Sequence, residues 1–222
     1  MKTNTKYILA VLMASIAISP IISFAEERSA VASGDKPDPK TEEMMKKMEA
    51  AGTPRAAHKI LAKLIGEWAV EVKYWMTPEG EPTVTKGTST AKWIMGDRFL
   101  HEEFYGEMMG KPFQGKTIMG YDNTSKMYNT VWIDNMSTGM VVSEGTANKD
   151  DAKMLTYTGE CACPVSKEMT KKFKHILHIV SDDKHVLEMY DLSKGEKFKE
   201  MESNLNPLFP SSPNPVIHEP PA

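Results

Sequence analysis

Cysteine is almost absent: 222 residues contain two, Cys161 and Cys163, separated by a single residue. No disulfide framework can be built from that pair, which excludes the small stapled scaffolds. Positive charge is not in excess, with 27 Lys and Arg against 30 Asp and Glu. No basic stripe is present, so nothing electrostatic draws the chain toward nucleic acid or anionic lipid. Beyond residue 25 no apolar run approaches the roughly 20 residues that a helix needs to cross a bilayer. The sequence also lacks an HExxH pair, a glycine-rich phosphate loop, a nucleophile elbow and a Ser/His/Asp set. No catalytic residue is therefore assigned, and neither a cofactor nor a nucleic-acid partner is expected.

What the sequence does contain suits one globular domain: 41% hydrophobic and 26% charged residues. Its N-terminus has three parts. Lys2 and Lys6 are followed by an apolar run from Tyr7 to Ile18, then by Ser19-Pro20 and the small-residue exit Ser23-Phe24-Ala25. This is the layout of a secretory leader, 1–25, with cleavage expected after Ala25 and a periplasmic or secreted product. The run is too short, and too interrupted by Ser and Pro, for a membrane anchor. Loss of Lys2 and Lys6 leaves 25 basic against 30 acidic side chains, a net charge of −5. No membrane partner is expected once the leader is gone. Residues 26–40 read as a polar linker. Residues 206–222, with six prolines, read as a disordered tail. The folded domain is then 41–205.

Two short helices open that domain. Thr41 is placed to cap the first, with Glu42 and Glu43 in its positive first turn and Gly52 at its end. Thr53-Pro54 has the form of a second start, capping residue then proline. There His58, Leu61, Leu64 and Ile65 fall on one helical stripe. After Gly66 the period changes from 3.6 to 2: Trp68, Val70, Val72 and Tyr74 alternate with Ala69, Glu71 and Lys73. Strand-like runs follow at 84–95, 98–108, 112–121, 127–134, 138–146, 153–160, 170–181, 185–191 and 196–204. Most are separated by Gly, Asp and Asn turn chemistry. About ten short strands with hairpin-length links predict an all-β, closed antiparallel up-and-down barrel behind short N-terminal helices. Closure also removes exposed sheet edges.

Several motifs then carry a resemblance: Gly66-Glu67-Trp68, Trp93-Ile94-Met95-Gly96-Asp97-Arg98-Phe99-Leu100, Gly120-Tyr121-Asp122-Asn123 and Trp132-Ile133-Asp134-Asn135 through Gly139. In this order they resemble the bacterial family called domain of unknown function 1579, over about 54–204. The Gly66-Glu67-Trp68 element is also similar to the Gly-x-Trp opening of lipocalins and related calycins. That implies a calycin-like barrel with the tryptophan packed at one end. Neither resemblance supplies catalytic residues.

Polar residues sit on faces that should point inward. Glu102 alternates with Leu100 and Phe104, and Asp134 shares a face with Tyr128, Thr130 and Trp132. An unpaired carboxylate is costly in a solid core but tolerable beside a partly wet cavity. The expected ligand-binding set is Arg98, Glu102, Phe104, Tyr121, Trp132, Asp134, Ser137 and Thr138, with a small, largely apolar molecule as partner. Two alternatives are a hydrolase or isomerase working through Glu102 or Asp134, and a metal or haem protein. For Cys161 and Cys163 three readings stay open: a strained, easily reduced disulfide, a metal pair aided by His175 or His178, and two incidental thiols. His175 and His178, three apart on a strand, should face opposite sides, and no metal site is assigned.

Overall fold

The computed structural model describes residues 38–209. The leader, most of the linker and the tail beyond Phe209 lie outside the described residues. The chain divides into two compact units, 1–42 and 43–222, and the barrel belongs to the second. Helix α1 spans Pro39–Gly52 and α2 spans Ala56–Leu61, running on into a 3₁₀ turn at Ala62–Leu64. Ten strands follow: β1 Gly66–Tyr74, β2 Thr83–Ile94, β3 Phe99–Met108, β4 Lys111–Asp122 and β5 Met127–Asp134, then β6 Val141–Ala147, β7 Met154–Ala162, β8 Thr170–Ser181, β9 Lys184–Asp191 and β10 Lys199–Pro207. Each pairs antiparallel with its sequence neighbours, and β1 pairs with β10, so the sheet closes. No helix among the described residues is long and apolar enough to cross a membrane.

Several boundaries differ from the sequence expectation, and four of the differences bear on the plug, the loops and the tail. The cap of α1 is Asp38 rather than Thr41. Its carboxylate accepts from the Lys40 and Thr41 amides and from the Thr41 hydroxyl, and Pro39 occupies the first helical position, so the helix reaches into the linker. Thr53 does not start α2. Its hydroxyl donates back to the Glu49 carbonyl of α1, and the cap is Arg55, whose amide donates to Nδ1 of His58. Strand β6 begins at Val141, leaving Ser137 and Thr138 in the preceding loop. Strand β10 runs through Asn206 to Pro207, opposite Trp68, so the first two residues of the expected tail join the sheet. As the last residue of its strand, Pro207 gives up no needed donor, and the next amide, of Leu208, donates to the Glu67 carbonyl.

The core is concentrated at one end of the barrel. Leu61 and Leu64 pack onto Leu100, Met119, Tyr128, Leu155, Leu177 and Ile179, closing that end with the α2 segment. Polar ties hold the plug in place. Trp68 Nε1 donates to the Leu64 carbonyl at 3.0 Å, and Tyr128 Oη donates to the Ala57 carbonyl. Asn123 Nδ2 donates to the carbonyls of Ala51 and Thr53, and Lys63 pairs with Asp182 at 2.6 Å. Burying a leucine such as Leu61 or Leu155 contributes about 1.5–3 kcal/mol, so the plug is the densest source of stability in the fold. The opposite end carries hairpin connections, one of which holds a 3₁₀ turn at Leu192–Lys194.

Candidate functional site

Between the plug and the hairpin end the barrel is hollow. The alternation of each strand decides what faces the space: Trp68, Val70 and Val72 from β1, Leu100, Glu102 and Phe104 from β3, Phe173, His175 and Leu177 from β8. The cavity measures about 320 Å³ and its wall is mainly apolar. Glycines let large rings lie flat against the wall. A Cβ on Gly115 would come within 2.1 Å of the Trp132 ring, and one on Gly159 within 2.5 Å of the Phe173 ring. Phe113 stacks on Trp132, with ring centroids 6.2 Å apart.

Polar groups interrupt this wall in a few places. Glu102 accepts a 2.5 Å hydrogen bond from the Ser89 hydroxyl, and Thr117 lies opposite it on β4. Burial pushes the Glu102 carboxyl above the ordinary carboxylate range, and the Ser89 bond only partly offsets this. Thr130 and Ser143 share a 2.7 Å hydrogen bond on the neighbouring wall. Across the cavity, Lys171 Nζ reaches both Glu200 carboxylate oxygens, at 2.6 and 2.7 Å. Burial pulls the Lys171 pKa down, but the bonds to Glu200 outweigh it and the net shift is upward. His175 stacks on Phe173 at 4.4 Å. Burial, aided by the Lys171 charge, lowers its pKa to about 4, so it is neutral. His185 is fully buried and meets Trp68 edge-on at 4.3 Å. Among the described residues neither of its ring nitrogens makes a hydrogen bond. Burial lowers its pKa, outweighing the opposing pulls of the Lys63 backbone and of the Asp182 and Asp183 carboxylates.

Of the expected ligand-binding residues, the structure brings Glu102, Phe104 and Trp132 to the cavity. The others lie elsewhere. Arg98 is exposed in the β2–β3 turn, donating to the carbonyls of Met95 and Gly96, and so cannot pair with an inner carboxylate. Tyr121 is below the cavity floor, packed against Tyr128 and His58 in the plugged end. Asp134 closes the end of β5, accepting from Trp132 Nε1 and from the Met136 amide, which uses both of its oxygens. Glu102 and Asp134 are therefore not brought together as an acid–base pair. Ser137 and Thr138 are exposed loop residues.

Cys161 and Cys163 are free thiols. Cys161 lines the cavity beside its register partner Lys171, and burial raises its pKa. His175 faces the cavity while His178 lies 3.8 Å from Glu188, so the two do face opposite ways. No group of three or more His, Cys, Asp or Glu side chains converges as a metal cage among the described residues. Sequence reasoning missed His185, Ser89 and the Lys171–Glu200 pair. Lys171, Phe173, His175, Leu177 and Ile179 do alternate along β8, and that signal alone marks Lys171 and His175 as inward-facing.

A closed ten-stranded antiparallel barrel, plugged by a helix at one end and hollow behind it, defines the class. The chain belongs to the family described as "Protein of unknown function (DUF1579)", which matches residues 53–206. No curated protein matches it. Among solved structures it is similar to Rv2717c from M. tuberculosis: 14% identity, 71% of this chain and all of that one covered, TM-score 0.50. A redesigned β-barrel overlays more loosely, at 15% identity over 70% of this chain and 96% of that one, TM-score 0.34. The likeness to Rv2717c concerns the fold alone.

Proposed function

We propose that the barrel binds a small, largely apolar molecule with one polar end. The observation that carries this reading is the 320 Å³ apolar cavity, a size typical of small-molecule sites. Its buried polar groups are short of partners: Glu102 has one hydrogen bond, and His185 has none among the described residues. A ligand whose apolar body lies on Phe104, Phe113 and Trp132 would leave its polar end within the ring of these groups. Unmade hydrogen bonds at buried atoms are costly, so a ligand that completes them gains both affinity and orientation.

The test is a titration with N-phenyl-1-naphthylamine, an uncharged fluorophore of suitable size. Saturable one-to-one enhancement of its emission is expected. Organic extraction of the purified protein followed by mass spectrometry would identify the natural occupant. We also propose that the barrel works after export, as the leader-like segment 1–25 suggests. The intact mass of the protein recovered from the producing cell should then correspond to a chain beginning at Glu26.

A further inference from the structure

The two ends of the barrel differ in what their connections expose. Up-and-down topology places five connections at the hairpin end: β1–β2, β3–β4, β5–β6, β7–β8 and β9–β10. Met76, Met109, Met136, Met140, Val165 and Met169 stand on four of these, each at least half exposed. The four connections at the plugged end expose one large apolar side chain, Met95, with Phe209 just past β10; the exposed Met44, Met45 and Met48 on that side belong to α1 and not to the barrel's connections. They consist otherwise of turns such as Asn148-Lys149-Asp150-Asp151 and Asp182-Asp183. The cavity lies inside the ring formed by the apolar tips.

From this we infer that the hairpin end docks peripherally on a lipid bilayer, with the methionine tips and Val165 in the interface and the cavity mouth facing the acyl chains. The inference rests on the ligand-binding reading and says where the ligand enters and leaves. Three features favour lipid over a protein partner. The exposed side chains are non-aromatic and spread in ones and twos over four hairpins, whereas protein interfaces centre on contiguous aromatic and arginine anchors. The β5–β6 loop, Asn135-Met136-Ser137-Thr138-Gly139-Met140, has no charge to desolvate. The five connections together hold Lys167, Lys194 and Lys197 against Glu79, Glu81, Glu168 and Glu196, a nearly balanced set that suits a zwitterionic surface. The acidic chain gives no electrostatic reason for membrane binding, but insertion of apolar tips needs none.

The probe is a phosphatidylcholine vesicle carrying brominated acyl chains, mixed with the full chain. Met140→Trp adds a fluorophore at the mouth and Met95→Trp adds one at the opposite end. Each is read as the difference from the parent protein. Quenching of the Trp at 140, with none at 95, is expected, and binding should be insensitive to salt. Met136→Ser, Met140→Ser and Val165→Ser combined should lower the vesicle-bound fraction about tenfold or more, since each removes apolar surface from the interface. The same triple variant should bind N-phenyl-1-naphthylamine in solution as the parent does. Loss of probe binding in the parent protein would count against the ligand reading. Intact probe binding without quenching at 140, or with equal quenching at 95 and 140, would overturn the docking inference alone. Self-association or protein capture through the same tips in place of vesicle binding would also overturn it.

Discussion

The plugged end and the hairpin end of this barrel are built from the same strands, yet only one of them is packed. At the plugged end Leu61, Leu100, Tyr128 and Leu155 are essentially without solvent contact. Polar ties from Trp68, Tyr128 and Lys63 hold the α2 segment over them, and Asn123 holds the chain leading into it. At the hairpin end the strand interiors present Phe104, Phe113, Trp132 and the Lys171–Glu200 pair to an open space. The difference teaches that dense packing and open interior space are divided along the barrel axis. One end supplies dense apolar burial, and this lets the other end leave its rings and carboxyl groups unpacked.

The largest effects should come from breaking the plug. Leu155→Ala is expected to cost about 2–5 kcal/mol of unfolding free energy, because a fully buried leucine leaves a cavity that its neighbours only partly refill. Phe113→Ala, at the hollow end, should cost clearly less. Urea unfolding of the two variants checks the order, and equal losses would erase the distinction between the ends.

A second test uses pH. The folded protein holds His175 neutral down to about pH 4, whereas the unfolded chain takes up that proton near 6.5. The unfolded state therefore binds more protons between those values. Stability is unaffected by this group above pH 6.5, falls as the pH drops through the window, and levels off below 4. The loss is up to about 3 kcal/mol. His175→Gln should flatten this part of the stability–pH curve, measured by denaturant midpoints between pH 4 and 7. An unchanged slope would mean that His175 is not held away from protons in the cavity wall.

Gly115→Ala comes next. The new methyl would collide with the Trp132 ring, so the ring must leave its place against the wall. Overpacking of this kind costs about 1–3 kcal/mol. The displaced ring should also enter the cavity and weaken N-phenyl-1-naphthylamine binding, which a comparable plug substitution of equal cost should not do. The smallest effect is expected at the rim. Met140→Ser should change unfolding free energy by no more than about 0.5 kcal/mol, since an exposed loop side chain contributes little to folding.

Much of the architecture was legible from the change of period at Gly66. The runs 127–134 and 170–181 coincide with β5 and β8, because their turn residues are unambiguous and their alternation is clean. The resemblance to the calycin Gly-x-Trp opening implied that Trp68 packs at one end, and it is buried against the plug. Glu102 was legible because a carboxylate flanked two residues away by Leu100 and Phe104 must share their face. Asp134 passed the same test and yet closes a strand end, since face alone does not tell how far along the axis a residue lies. Arg98, Ser137 and Thr138 were drawn toward the site by motif proximity, but turn geometry keeps them outside it. The Lys171–Glu200 pair was invisible because β9 intervenes between their strands and only the curvature of the closed sheet brings them together.

The central claim is that the barrel interior is a binding space rather than a packed core. Met189 and Met201 face each other across β9 and β10 and both line the cavity. Replacing both with tryptophan should fill it with apolar volume. N-phenyl-1-naphthylamine titration of the parent and of Met189→Trp/Met201→Trp is the most direct measurement. The account predicts saturable one-to-one binding in the parent and at least about tenfold weaker binding in the filled variant, which keeps a cooperative unfolding transition. Absence of saturable binding in the parent, or undiminished binding in a folded double variant, would contradict it.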